Sequence, residues 1–273
     1  MNDTSLGTAL RELREAGGKQ AQTVARGALM PPSKLSKIER NSLVPSANEV
    51  ERILSMLDVP DEVRAGLIQE ARRAATEATA WRIYRRSGLH KHQDEIRAIE
   101  AQTTLMRLFQ PSAVPGLLQT PEYIRGILRS RRLSDEELER TLGARLRRQE
   151  VLYDSTKTFC FIITESVLHW RFIPPPMMAT QLDRIASASR MANVELGILP
   201  QSADLDLLPS TSFVLFDARL ASVEVPHAEI TTRDPRDIEF YAERFKRFRT
   251  AALIGSEMMP LVESIRDSYV AEA

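Results

Sequence analysis

Residues 5 to 57 constrain the chain most, because four short helical patterns are packed into about fifty positions with connections too tight for anything but a compact helical head. In the first, Leu6, Ala9, Leu10 and Leu13 recur three and four apart, so one face points inward while Arg11, Glu12 and Arg14 point out; Gly17 and Gly18 end it. The second runs from about Gln20 to Ala28, with Val24 and Ala25 as its inward pair. After a break at Leu29 to Pro31, a third opens with Pro32 at its first position, where a missing N–H costs nothing, and buries Leu35 and Ile38. Ser46 and Glu49 have the spacing of a reciprocal capping pair and announce a fourth, carrying Val50, Ile53, Leu54 and Leu57.

Charge adds a second constraint. With 37 basic and 37 acidic residues the chain is neutral, so bulk attraction to a polyanion is excluded and any such attraction must be local. Residues 11 to 40 supply it, with Arg11, Arg14, Lys19, Arg26, Lys34, Lys37 and Arg40 against Glu12, Glu15 and Glu39. Another basic stretch, residues 81 to 92, holds Arg82, Arg85, Arg86 and Lys91 without an acid. It reads either as a clamp on flanking phosphates, through Arg82, Arg85 and Arg86, or as a solvated linker whose Trp81 and Tyr84 pack on a neighbour.

Val24-Ala25, the turn after them, the string SKLSKIERN and the capped fourth helix together resemble the XRE, or lambda-repressor-like, helix-turn-helix family. The resemblance implies that the third helix lies in the major groove of DNA. It places Gln20 and Gln22 near phosphates, Ser33, Lys34 and Lys37 at base edges, and Arg40 and Asn41 on the backbone beyond. It also implies a scaffold pair between Glu39 and an arginine of the first helix, here Arg14. Two positions depart from the family pattern: Leu29 stands where glycine is common, and Pro31-Pro32 replaces the capping serine and the glutamine that often reads adenine.

Behind the head, Val63, Leu67, Ala71, Ala74, Ala78 and Trp81 predict a long helix from Asp61, and a further helix is expected from about Asp94 to Phe109, ended by Pro111. In FQPSAVPGLLQTPEYIRGIL, residues 109 to 128, Pro115-Gly116 fits the centre of a type II turn, and Thr120 caps a helix that Pro121 opens. Ser134 and Glu137 start another helix. Beyond residue 155 the period changes: residues 159–164, 194–199, 212–216 and 221–225 read as strands, the last two as an antiparallel hairpin, with helices from about Ala179 to Met191, after Asp234-Pro235 and after Ser256.

The expected organisation is a helix-turn-helix domain over 1–60, a helical linker over 61–110, and over 111–273 an α+β domain with a small, mostly antiparallel sheet. The 109–128 string, Glu100-Ala101 and RLRRQEVL at 145–152 make the whole chain similar to the WhiJ-like regulators of actinomycetes. That resemblance implies a repressor controlled when the rear domain engages a small protein encoded by a neighbouring gene, in an arrangement likened to antitoxin and toxin.

The expectation is therefore a homodimeric, sequence-specific transcriptional regulator on a near-palindromic operator in double-stranded DNA. Two alternatives stay open: the same reader controlled by a small ligand bound between the PGLLQT segment and the sheet, and an antitoxin-like interaction protein that does not bind DNA. Enzymatic function is not expected, because Cys160 lies within an apolar strand and His169 serves as its base only if the fold joins them. No cofactor or metal is expected: no phosphate-cradling glycine loop occurs, and no ligand follows the imidazoles of residues 90–92 at metal spacing. With no apolar run of membrane length, a cytoplasmic location is expected.

Overall fold

A computed structural model describes residues 5–80, 88–131, 133–225 and 228–272. The chain divides into two compact units, Met1–Glu77 with Thr231–Pro235, and Ala78–Ile230 with Arg236–Ala273.

The front unit contains α1 (Leu6–Ala16), α2 (Ala21–Gly27), α3 (Pro32–Glu39), α4 (Ala47–Ser55) and α5 (Asp61–Ala75). The periodic residues close one core: Leu10, Val24, Ala25, Leu35, Ile38, Val50, Ile53 and Leu54 are all buried. Leu67, Ile68 and Ala71 of α5 pack on that same core, so α5 is part of the head. The expected capping pair forms at α4: the Ser46 backbone N–H donates to Glu49 Oε2 at 2.9 Å, and the Glu49 N–H donates to Ser46 Oγ at 3.3 Å.

The helix expected to run from Asp61 past Ala78 stops at Ala75, and Thr76–Ala80 continue as strand β1. Alanine spacing alone does not hold a helix once a sheet edge offers backbone partners, and β-branched Thr76 and Thr79 favour the strand.

In the rear unit the next elements are α6 (Leu89–Ala101), β2 (Leu105–Gln110), α7 (Pro121–Arg129), α8 (Asp135–Arg148), β3 (Thr158–Thr164), α9 (Ser166–His169), α10 (Pro175–Ala188) and β4 (Val194–Leu199). They are followed by β5 (Phe213–Phe216), β6 (Leu220–Val225), β7 (Ala228–Thr232), α11 (Pro235–Ala251), β8 (Leu253–Ile254) and α12 (Met259–Ala271). Among the described residues the sheet order is β1-β7-β6-β5-β2-β3-β4-β8. The three central strands are parallel, β2 with β3 and β3 with β4, while β5 runs antiparallel to β2 and to β6, and β8 antiparallel to β4.

The small, mostly antiparallel sheet is thus corrected to a larger mixed one. Two features decide this. The expected helix over Asp94–Phe109 ends at Ala101, and Leu105–Gln110 becomes the strand that joins the two halves of the sheet. The connections β2–α7–α8–β3 and β3–α10–β4 are helical crossovers, which bring the next strand back in the same direction. The expected hairpin of β5 and β6 does form, turning at Asp217 with φ 53°.

Both sheet faces are covered, which explains why residues 159–164 lack polar alternation. Phe159, Phe161 and Ile163 join a core with Leu182 and Ile185 of α10 and Val262 and Ile265 of α12. Ile162 joins Phe109, Phe213 and Leu215 against Phe245 and Phe248 of α11, and the rings of Phe109 and Phe248 stack at 4.0 Å between centroids.

The expected type II turn at Pro115-Gly116 does not form. Gly116 keeps a negative φ and starts a 3-10 turn, Gly116–Leu118, with the Leu118 N–H donating to Pro115 O at 2.8 Å. The segment is held by buried amides: Gln119 Nε2 donates to Val114 O at 2.6 Å, Gln181 Nε2 to Leu118 O at 2.8 Å, and the Thr120 N–H to Gln181 Oε1 at 2.7 Å. The phenol of Tyr123 accepts the Val114 N–H at 3.0 Å, and burial pushes that phenol up to about 12. This string is scaffold for α7, whose N-cap Thr120 accepts from the Tyr123 N–H.

Candidate nucleic-acid interface

The candidate surface is the outward side of α2 and α3, and its geometry begins with how α3 is held. Leu35 and Ile38 are wholly buried, which leaves Ser33, Lys37 and Arg40, spaced four and three, on the exposed side. Gly7 lets α1 approach the end of α3 closely: a Cβ there would lie 2.0 Å from the Ile38 carbonyl oxygen. Asn41 sits in the left-handed region, φ 56°, and its Oδ1 accepts the Gly7 N–H at 2.9 Å while Nδ2 donates to Thr8 Oγ1 at 3.0 Å. Its side chain therefore closes the start of α1, a structural task beside the backbone contact expected of it.

The Arg14–Glu39 pair forms as the resemblance implied. Arg14 Nε donates to Glu39 Oε1 at 2.6 Å and Nη2 to Oε2 at 2.9 Å, with both side chains largely buried, and Nη1 reaches Lys19 O at 3.1 Å. The Glu39 hydrogen bond holds the Arg14 guanidinium above its ordinary range. α1, α3 and the turn after α1 are locked by this one fork.

Pairing sorts the cations. Arg11 is taken by Glu15, Arg14 by Glu39 and Lys34 by Glu49 of α4. Burial pushes the Glu49 carboxyl up, but the hydrogen bonds from Lys34 and from the Ser46 backbone outweigh it and leave it below the usual carboxylate range. Lys34, expected at a base edge, is thereby tied across to α4 in the free head. Lys19, Arg26, Lys37 and Arg40 are exposed and have no ion-pair partner among the described residues; Arg40 Nε donates to Ser36 O at 3.1 Å.

Gln20 is the exposed N-cap of α2 and makes no side-chain capping bond, and Gln22 is exposed in the first turn. Arg26 lies four residues after Gln22 and is exposed beside it; sequence reasoning counted its charge but did not name it as a contact, although the i,i+4 spacing from Gln22 and its place outside the Val24-Ala25 pair were the signal. Arg82, Arg85 and Arg86 lie outside the described residues.

Leu29 occupies the turn between α2 and α3 with φ 55° and is 80% exposed. A side chain in that conformation costs about 1–2 kcal/mol and gains nothing from burial here. After the loss from glycine's freer unfolded chain, Leu29→Gly is expected to stabilise the head by about 0.5–1 kcal/mol, read as a higher urea midpoint at unchanged slope.

In the rear unit, the Cys160 thiol is pushed up by burial and by the nearby Glu195 charge, and the His169 Nε2 faces Glu165 at 3.4 Å. No helix among the described residues is long and apolar enough to cross a membrane.

Against known families, the model described as "Helix-turn-helix domain" matches residues 5–67, and the model described as "Domain of unknown function (DUF5753)" matches residues 93–263. No curated protein matches. Among solved structures, NucT from Helicobacter pylori is 9% identical, covering 65% of this chain and 96% of its own, with a TM-score of 0.38. Nuc from Salmonella typhimurium, a phospholipase D family member, is 10% identical, covering 66% of this chain and 96% of its own, at 0.35. TrmBL2, an archaeal chromatin protein, is 11% identical, covering 91% and 99%, also at 0.35. At such scores these three likenesses assign neither fold nor activity. The helix-turn-helix match supports a DNA-binding head.

Proposed function

Because this chain belongs to the DUF5753 family and carries a helix-turn-helix domain in front of it, we propose that it is a sequence-specific transcriptional regulator, acting as a repressor and controlled through its rear unit. The observation that carries the reading is the sorting of charge on the head. Acidic side chains absorb the cations that brace the fold, while Lys19, Arg26, Lys37 and Arg40 stay exposed around α2 and α3. Unpaired cations beside an exposed helix suit a phosphate-flanked groove.

In this reading Ser33 and Lys37 face base edges, Gln20, Gln22, Arg26 and Arg40 face phosphates, and Lys34 joins the bases only by leaving Glu49. The protein binds as a homodimer on a near-palindromic operator, two heads about 34 Å apart along the duplex. Control by a small protein encoded nearby is supported by the resemblance to WhiJ-like regulators. We place no catalytic step in the rear unit, since a thiol held in its protonated form is a poor nucleophile.

Lys37→Ala is expected to weaken operator binding about tenfold to a hundredfold with the fold unchanged, because the exposed Lys37 side chain has no partner among the described residues and the backbone carbonyl that accepts from Ser42 is kept. Mobility shifts across a salt series check this and also separate the roles. Loss at every salt with relaxed sequence preference marks a base contact, whereas uniform weakening with a shallower salt slope marks a phosphate contact. A wild-type protein that retains no duplex even at low salt would leave the antitoxin-like reading standing instead.

A further inference from the structure

An arginine and a threonine of the rear unit each enclose a polar atom that meets no acceptor or donor among the described residues. Thr141, on α8, is 1% exposed, and its hydroxyl has no hydrogen-bond partner among the described residues. One turn on, Arg145 has its Nε fully enclosed and likewise without a partner, while its Nη1 donates to Gln119 Oε1 at 3.1 Å. An N–H donor shut off from water normally meets an acceptor, and leaving it unmet is costly. Both groups line a cavity of about 40 Å³ closed by Gln93, Leu128, Arg131 and Glu224. A lone water needs only about 10–15 Å³, so the space admits a group with two oxygens.

The charges around the cavity favour an anion. Arg145 lines it with its Nε unmet, whereas the neighbouring Arg148 is matched by Glu100. Glu224 is the carboxylate on the wall, but it is exposed and outside ion-pair distance of Arg145. His92, also on the wall, is held toward its neutral form by burial, with Glu229, Glu224 and Glu95 opposing that shift. Burial pulls Arg145 down to about 10, the response of a cation that lacks a counterion; Arg148 and Arg131 add to the shift and Glu224 opposes it.

We infer that this cavity is a carboxylate-binding site, in which Arg145 Nε–H and the Thr141 hydroxyl donate to the two oxygens of one carboxylate. The site stands whether or not the head binds DNA. Because Arg145 also holds Gln119, an occupant would brace the Pro115–Thr120 segment.

Calorimetric titration of the full chain with sodium acetate, against sodium chloride at equal ionic strength, tests it. Saturable heat is expected with a Kd on the order of 1 mM, as suits a ligand of four heavy atoms. Thr141→Val keeps the shape and removes a hydroxyl that the fold does not use, so it is expected to leave the melting temperature unchanged or higher while weakening acetate about tenfold. Acetate heat no larger than chloride heat, or full acetate affinity in Thr141→Val, overturns the site. Tighter binding of inorganic phosphate than of acetate overturns its assignment to a carboxylate. Propionate and butyrate binding as acetate does would extend the same site to carboxylates carried on a larger molecule.

Discussion

Arg148→Ala will cost the rear unit about 3–5 kcal/mol, one of the two largest effects expected of any single substitution in the chain. Glu100 is wholly enclosed, with a side chain 1% exposed, and among the described residues its carboxylate is held by this arginine's fork alone: Nε lies 2.9 Å from both oxygens and Nη2 2.7 Å from Oε1, while Nη1 donates to Gln93 Oε1 at 3.0 Å. Removing the guanidinium strands a negative charge where water cannot reach it. The pair joins α6 to α8, so its loss loosens two helices at once. Thermal unfolding followed by calorimetry should show a transition of the rear unit about 10 °C lower, taking about 2–4 °C per kcal/mol for a unit of this size. Replacing both partners, Glu100→Leu with Arg148→Met, should recover most of the loss, since the cost lies in the unpaired charge and not in the missing bridge. A single variant as stable as the parent would show that Glu100 is hydrated after all.

Arg14→Ala is the corresponding experiment in the front unit, where the margin is smaller. The guanidinium holds Glu39 with two bonds and the turn after α1 with a third, and Glu39 is left in an apolar setting without it. About 3–5 kcal/mol is comparable to the whole stability of a domain of this size, so the head should be largely unfolded at 37 °C. Far-ultraviolet dichroism should fall and operator binding should vanish with it, in contrast to Lys37→Ala, which should lose binding with full helix content. Arg14→Lys should rescue little, because a single ammonium cannot fork across both oxygens. Operator binding retained at full strength in Arg14→Ala would mean that α3 is positioned by the hydrophobic core alone.

The two pairs differ in how visible they were. Arg14–Glu39 was legible only through the resemblance to the helix-turn-helix family, which sets an acidic residue at the end of the third helix against an arginine of the first; spacing alone put Arg14 on an outward face. Glu100 and Arg148 stood in two strings that carried a resemblance, but nothing in either string said that they meet; 48 residues separate them, and only the packing of α6 on α8 brings them together. The same holds for Lys34, which spacing put on an outward face and which Glu49 of α4 then takes up. Gln181 and Gln119 gave no local signal at all, since a buried amide looks in sequence like any surface glutamine.

Local chemistry by itself determined the head: short helices with caps, proline at a first turn and apolar residues three and four apart leave few ways to pack, and each of those signals acts within a few residues. It also determined the strands at 159–164, where an apolar run is too short for a helix, and at 194–199, where apolar and other residues nearly alternate. Tertiary structure alone decided that Leu105–Gln110 is a strand, that the central strands are parallel, and which cations are left exposed. Those outcomes depend on which backbone edge or carboxylate lies opposite a residue in space, and that information is shared between segments dozens of positions apart.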